Sequence, residues 1–301
     1  MKNGFFFLSL AVAVFITVFA SAIVIHGDKL WDTAQSEDVV AQDDDVIDDV
    51  PEEPTPEILK INFQPIVDEW VNSVGGNRSV IVYDLDLDEM VGVYNPDESY
   101  NTASLYKLFV VYEGYRRIEN GVWATDENAG VTGRSILECL DLAIRESYSP
   151  CAETLWSIIG HAQLDQIVKN DFNITNSNIS NLLSNASDIL KIMKIFYLHS
   201  DITNEVLVSR MKDSFLNQPA TTYNWRQGLP SGFSVANVYD KVGWDYNSNG
   251  YWNIYHDAAI VEFPEQNRHF IIVVMTNRVA FQDIRSFGTM FENEFLKQYN
   301  D

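Results

Sequence analysis

The fold of this chain is decided by residues 101–111, which read NTASLYKLFVV. Apolar residues on nearly every side predict a buried helix, and Thr102 is the expected N-cap. Ser104 and Lys107 are three positions apart, so a helix places both on one face, where an amine can accept a hydroxyl proton. A buried amine costs free energy unless it is paired or reaches solvent. A functional serine–lysine pair therefore competes here with an ordinary helix start.

The elements around this stretch follow from hydrophobic periodicity and from Pro150, which is expected to separate two helices. Besides the helix that holds Ser104, the sequence predicts helices over residues 58–74, 135–147, 151–159, 186–199, 203–215 and 282–298. Predicted strands cover residues 79–83, 90–94, 235–242, 256–263 and 270–275. This order predicts an α/β fold of the layered α+β kind. Its five-stranded antiparallel sheet is flanked by the terminal helices, and an all-helical subdomain is inserted between the second and third strands.

The N-terminal segment, residues 1–27, contains an uncharged apolar run of 22 residues from Gly4 to Ile25. This length can span a bilayer, and Lys2 on one side with acidic residues on the other orients the N-terminus inside. A cleavable signal peptide is the alternative, because residues 20–22 (ASA) fit a small-x-small cleavage site. We therefore expect an extracytoplasmic protein, held by a membrane anchor or secreted after cleavage.

Residues 28–57 have the composition of a disordered linker. They carry twelve Asp and Glu residues against one Lys, interspersed with proline. Like charges and proline keep such a segment extended. The whole chain has a net charge of −23, which argues against a nucleic-acid partner. The globular domain is expected over residues 58–301.

Three short motifs in this order resemble the class A β-lactamase group of penicillin-binding, active-site-serine hydrolases. Their signature is Ser-x-x-Lys, then Ser-Asp-Asn, then Lys-Thr-Gly. The corresponding segments here are residues 104–107 (SLYK), 147–149 (SYS) and 241–243 (KVG). Residues 228–232 (GLPSG) and 256–261 (HDAAIV) are also similar to the family pattern. The resemblance covers about residue 58 to residue 301.

The resemblance implies a separate chemical role for each of these residues. Ser104 would attack an amide carbonyl, and a neutral Lys107 would accept its proton. Ser147 would relay a proton to the leaving nitrogen, and Lys241 would supply positive charge for a substrate carboxylate. The backbone N–H groups of Ser104 and Trp244 would form the oxyanion hole.

The same resemblance assigns Ser149 and Gly243 to substrate binding. Plainer alternatives stay open at the remaining positions. Lys241 next to Asp240 fits an ion pair on a strand surface, and His256 at a strand start more often packs than reacts. No His, Cys or Asp cluster has metal-ligand spacing and no glycine-rich phosphate loop is present, so the sequence predicts neither metal nor cofactor.

Several positions depart from the family pattern. Tyr148 and Ser149 replace its Asp and Asn, and Val242 replaces a hydroxyl-bearing residue that helps to hold the substrate carboxylate. The family also uses a loop glutamate to direct the deacylating water, yet residues 154–204 contain no Glu. Asp165 and Asp171 are the acids of residues 161–185, and we expect both to be solvated surface carboxylates.

The two cysteines, Cys139 and Cys151, stand on consecutive predicted helices on either side of Ser147. In an oxidising compartment we expect a disulfide between them, whereas in the cytosol two buried thiols would be the default.

The sequence therefore predicts a membrane-tethered serine hydrolase that forms an acyl-enzyme with a β-lactam or a D-alanyl cell-wall peptide and deacylates slowly. A D,D-peptidase-like cell-wall enzyme is one alternative. A non-catalytic descendant that binds wall peptides or a partner protein is the other.

Overall fold

The computed structural model describes residues 58–216, 226–246 and 252–300. The predicted anchor or signal segment (residues 1–27) and the predicted linker (residues 28–57) lie outside these residues. Over the described ranges, no helix combines the length and the apolar character needed to cross a membrane.

The main sheet has five antiparallel strands, as the sequence predicts, and their order is β2-β1-β7-β6-β5. Its strands are β1 (Asn77–Asp84), β2 (Glu89–Tyr94), β5 (Asn237–Tyr246), β6 (Trp252–Phe263) and β7 (Arg268–Asn277). A separate two-stranded pair joins β3 (Tyr100–Asn101) to β4 (Leu183–Ser184). The helices are α1 (Gln64–Ser73), α2 (Tyr106–Glu119), α3 (Ile136–Arg145), α4 (Ser149–Ile159), α5 (His161–Asn170), α6 (Ala186–Leu198), α7 (Glu205–Leu216) and α8 (Phe281–Asn300).

Both faces of the sheet are covered, which explains why its central strands are apolar at nearly every position. Alternate side chains of β7 enter different clusters. Ile271 and Val273 join the core of the helical subdomain, whereas Phe270 and Ile272 pack with α1 and α8 on the opposite face. The sequence places the helical subdomain correctly, as an insertion between β2 and β5.

Two predicted helix boundaries are wrong, and proline explains both. The helix predicted over residues 58–74 begins only at Gln64, because Pro65 has no N–H and fits only the first helical turn. Pro150 likewise lies in the first turn of α4 instead of separating two helices. Since α3 ends at Arg145, Ser147 lies in the connecting loop and not on the helix predicted to end there.

Helix α5 has no counterpart among the predicted helices. Of its ten residues, only Leu164 and Val168 are buried. Two buried positions give a weak periodic signal, so tertiary packing decides this helix more than its own sequence does.

A disulfide joins Cys139 on α3 to Cys151 on α4, with their Cα atoms 4.9 Å apart. Both side chains are fully buried in the core of the helical subdomain. The bond closes a short loop that contains Ser147, so it holds together the two helices on either side of that residue. The predicted pairing is therefore confirmed.

We expect reduction of this disulfide to lower the free energy of unfolding by about 3 kcal/mol, because cross-linking a short loop restricts the unfolded chain. Urea unfolding of the oxidised and reduced protein measures the difference, and the double variant Cys139→Ser/Cys151→Ser should match the reduced form. Alkylation of both thiols without prior reduction would contradict the pairing.

Candidate active site

The turn that carries Ser104 is sharper than the predicted helix start. Residues Ala103–Leu105 form a single 3₁₀ turn ahead of α2, and Ala103 has a φ of +42°, in the left-handed region. The side chain of Asn101 accepts a hydrogen bond from the Ala103 N–H at 2.8 Å and so fixes this turn. Ser104 is left half-buried at its outer edge. Non-glycine residues hold such a conformation only where their surroundings enforce it.

The prediction that Thr102 caps the helix is wrong. Its backbone has helical angles and its side chain makes no capping hydrogen bond. Its N–H instead donates to the carbonyl oxygen of Leu182 at 2.8 Å. The turn of residues 103–105 carries the predicted nucleophile Ser104 and is called the nucleophile turn below. Together with the pairing of β3 and β4, this bond fastens the nucleophile turn to the segment that follows α5.

Lys107 is fully buried, with an exposed fraction of 0%. Its Nζ donates to the carbonyl oxygen of Ser147, to the Ser147 hydroxyl at 3.2 Å and to the Ser149 hydroxyl at 3.0 Å. Burial lowers the Lys107 pKa to about 8, and the negative charge of Glu153 opposes that effect. A pKa in this range gives an appreciable neutral fraction near neutral pH, which a proton acceptor requires.

Ser147 lies in the loop between α3 and α4, with a φ of +50°. The N–H of Tyr148 donates back to the carbonyl oxygen of Leu142 at 3.0 Å and so folds this loop against the end of α3. As a result, both the hydroxyl and the carbonyl oxygen of Ser147 contact the Lys107 amine.

Lys241 approaches the same hydroxyl from the sheet. Its Nζ donates to Ser147 Oγ at 2.9 Å and to the Val242 carbonyl oxygen at 2.6 Å, and only 1% of the side chain is exposed. Burial lowers the Lys241 pKa well below its usual range, and the charge of Lys107 lowers it further. The Ser147 hydroxyl thus lies between two buried amines that disfavour each other's charge, an arrangement suited to moving a proton.

Gly243 allows strand β5 to approach the nucleophile turn. A Cβ at this position would lie 2.8 Å from the Thr102 carbonyl oxygen and 3.0 Å from Leu105 Cγ. The approach brings the strand segment that contains Trp244 alongside Ser104. Donation from the N–H groups of Ser104 and Trp244 to a substrate oxyanion stays a prediction.

Behind Lys241, sequence analysis missed a buried acidic cluster. Asp240 pairs with Arg226 at 3.1 Å, so its carboxylate does not form the strand-surface ion pair with Lys241. The reason is geometric, because consecutive strand residues point to opposite faces of the sheet. The alternation of side chains between the two faces of the strand, applied to residues 238–242, could have predicted this arrangement.

Asp257 explains part of the motif at residues 228–232. Its Oδ2 accepts the Leu229 N–H at 2.7 Å, and a Cβ on Gly228 would lie 2.2 Å from that oxygen. Burial raises the Asp257 pKa well above its usual range, and the nearby Asp240 charge raises it further. Asp257 therefore secures the segment before β5 through its hydrogen bond with the Leu229 N–H.

Both ring nitrogens of His256 make hydrogen bonds within the fold. Its Nε2 donates to the Asn101 carbonyl oxygen at 2.7 Å, and its Nδ1 accepts the Thr276 N–H at 2.9 Å. Burial lowers its pKa to about 4, so the ring is neutral and both nitrogens are occupied. This geometry favours packing over catalysis.

The two acids in residues 161–185 have different environments. Asp165 is half-buried and accepts the N–H groups of Ile179 at 2.7 Å and Ser180 at 3.1 Å, so the expectation of a solvated carboxylate is wrong for it. Asp171 is exposed, as expected, and pairs with Arg116 at 3.2 Å. Both carboxylates are therefore engaged in contacts away from Ser104 and Lys107.

Comparison with known proteins shows the family to which this chain belongs. The profile of the beta-lactamase enzyme family matches residues 62–289, so this chain belongs to that family. No match was found among curated proteins. Family membership and fold together support a serine hydrolase of the β-lactamase type.

Solved structures show the same fold. An ancestral class A β-lactamase is similar at a TM-score of 0.65 and 15% identity, covering 76% of this chain and 98% of its own. A β-lactamase from Chitinophaga pinensis has a TM-score of 0.65 and 14% identity, with coverages of 77% and 97%. A class A β-lactamase representative from Bacteroides cellulosilyticus has a TM-score of 0.65 and 16% identity, with coverages of 78% and 99%.

We expect Gly243→Ala to destabilise the protein by about 1–3 kcal/mol, because the new methyl group overlaps the Thr102 carbonyl oxygen and forces β5 away from the turn. Gly75→Ala is the matched control, since a Cβ there meets nothing within 4 Å. It should change the free energy of unfolding by less than about 1 kcal/mol. Urea unfolding of both variants provides the comparison, and equal values would refute the close approach.

Proposed function

We propose that this protein is an active-site-serine hydrolase that forms an acyl-enzyme on Ser104 with a β-lactam or a D-alanyl cell-wall peptide. The observation that carries the proposal is the Ser147 hydroxyl, which accepts hydrogen bonds from Lys107 at 3.2 Å and from Lys241 at 2.9 Å. This arrangement links the proposed base Lys107, the relay Ser147 and the second amine of Lys241 beside the turn that carries Ser104.

In the proposed acylation, Ser104 Oγ attacks the carbonyl carbon while its proton passes to the neutral amine of Lys107. Backbone N–H groups of Ser104 and Trp244 stabilise the negative charge that develops on the carbonyl oxygen. The carbon–nitrogen bond then breaks, and the leaving nitrogen takes a proton from the Ser147 hydroxyl. Lys107 returns a proton to Ser147, which leaves an ester on Ser104 and restores the relay.

Substrate recognition in this proposal differs from the usual family pattern. Ser149 contacts Lys107 at 3.0 Å and presents a hydroxyl where the family has an amide. Val242 is buried, with 2% of its surface exposed, and has no hydroxyl for a substrate carboxylate. These changes favour a substrate whose acyl group differs from the one that the usual family pattern recognises. The D,D-peptidase-like reading therefore remains the second candidate function.

Deacylation is proposed to be slow because the family's loop glutamate has no counterpart here. Residues 154–204 contain no Glu, and Asp165 and Asp171 are held by other partners. A positioned general base contributes about 10²–10⁴-fold to a rate. With acylation intact and no glutamate at the family's loop position, the acyl-enzyme should accumulate.

The proposed location is outside the cytoplasm, with the domain held to a membrane through the N-terminal segment. The support is the uncharged run from Gly4 to Ile25 and the acidic linker after it. In this location the substrate would be encountered at the cell wall.

We expect a fluorescent penicillin to label the wild-type protein covalently, with a burst of one equivalent followed by slow turnover. Ser104→Ala should abolish labelling because the attacking oxygen is lost, and Lys107→Ala should slow it by about 10²-fold or more. Gel fluorescence and mass spectrometry of the Ser104 peptide measure the adduct.

The matched control for this experiment is Ser157→Ala, which removes an exposed hydroxyl on α4 and should label normally. Equal labelling of the wild type and Ser104→Ala would remove Ser104 as the nucleophile. Steady hydrolysis at tens per second without a burst would contradict slow deacylation.

A further inference from the structure

Helix α4 presents three residues on one stripe toward the nucleophile turn. Ser149, Glu153 and Trp156 are spaced by four and three positions, which places them within roughly 60° of the helix circumference. The first and last of them contact the turn and the start of α2. Ser149 Oγ accepts from Lys107 Nζ at 3.0 Å, and the Trp156 ring packs on Tyr106 with centroids 4.9 Å apart. Glu153 therefore lies between two fixed contacts to the segment that carries Ser104.

The carboxylate of Glu153 is exposed, and it has no hydrogen-bond or ion-pair partner among the residues that the structure describes. Two other acids of the helical subdomain are engaged. Glu113 pairs with Arg117 at 2.8 Å, and Asp165 accepts two backbone N–H groups. Glu153 thus combines a free carboxylate with a position beside the site.

The charge of Glu153 also reaches the residues of the turn. It opposes the lowering of the Lys107 pKa by burial. It adds to the effect of burial in raising the Tyr106 pKa. The direction at both groups is the one expected from a nearby negative charge, which agrees with the placement of Glu153 on the stripe.

We propose that Glu153 is the general base that activates water for hydrolysis of the Ser104 acyl-enzyme. This inference rests on the proposed function, because it needs the ester on Ser104. The glutamate stands on α4, and not in the segment after α4 where the resemblance expects a base.

Hydrolysis of the ester consumes one water molecule. The oxygen of a water molecule beside Glu153 attacks the ester carbonyl carbon while one of its protons passes to the Glu153 carboxylate. The tetrahedral intermediate then collapses, and the bond between that carbon and Ser104 Oγ breaks. Ser104 Oγ takes the proton that Glu153 received, through the amine of Lys107, which is neutral before and after this step. The product is a carboxylic acid, and the free enzyme is restored.

The exposure of Glu153 is consistent with slow deacylation. An exposed side chain without fixed partners samples several rotamers, so its carboxylate holds a water in the reactive position only part of the time. Acylation needs no proton transfer through Glu153, because Lys107 and Ser147 already contact each other.

The test separates acylation from deacylation in Glu153→Gln, which keeps the shape and removes the base. The protein is acylated with the fluorescent penicillin, free reagent is removed, and loss of the Ser104 adduct is followed by mass spectrometry. We expect acylation within threefold of the wild type and an adduct lifetime longer by about 10²-fold. Added formate should shorten the adduct lifetime in Glu153→Ala, an effect that loss of a merely structural residue would not show.

Glu146→Gln is the matched control. It removes a negative charge close to Ser147 from a residue whose carboxylate lies 3.7 Å from Arg145, and its adduct lifetime should equal that of the wild type. An unchanged adduct lifetime in Glu153→Gln would overturn the role of Glu153 while leaving Ser104 as the nucleophile. Absence of any adduct on wild-type Ser104 would overturn the proposed function, and the role of Glu153 with it.

Discussion

The Ser147 hydroxyl, held between the amines of Lys107 and Lys241, is the contact on which the candidate site depends. It joins α2 of the helical subdomain to β5 of the sheet, with nitrogen–oxygen distances of 3.2 Å and 2.9 Å. Two buried amines cost considerable free energy unless polar partners surround them. The loop that holds Ser147 provides those partners through its hydroxyl and carbonyl oxygens, and the shared hydroxyl brings the two lysines into one system.

Two kinds of support keep this contact in place. On the helical side, the disulfide between Cys139 and Cys151 joins the helices that flank the Ser147 loop. On the sheet side, Gly243 lets β5 lie against the nucleophile turn, where any larger residue would meet the Thr102 carbonyl oxygen. Backbone strain at Ala103 and Ser147, both at positive φ, is held by these surroundings and sets the direction of the side chains.

Hydrophobic periodicity predicted the five strands of the sheet, and helical spacing paired Ser104 with Lys107, because both signals are encoded locally. Ser147 and Lys241 joined this hypothesis only through the resemblance to the family's motifs. The structure does place Lys107, Ser147 and Lys241 in contact, beside the turn that carries Ser104. Contacts between distant segments were not predictable in this way. The pairing of Asp240 with Arg226 depends on which face of β5 each side chain occupies. The position of Glu153 beside the site depends on how α4 packs against α2, which no local pattern specifies.

The central claim is that burial makes Lys107 a base, and the pH dependence of acylation tests it most directly. The pKa of Lys107 is lowered to about 8, so the neutral fraction of its amine increases as the pH rises through that value. The rate constant for labelling of Ser104 by a fluorescent penicillin, measured by rapid quench from pH 6 to pH 10, should therefore rise about tenfold per pH unit at first and level off above about 8. A rate that stays constant over this range would contradict the assignment of Lys107 as the proton acceptor.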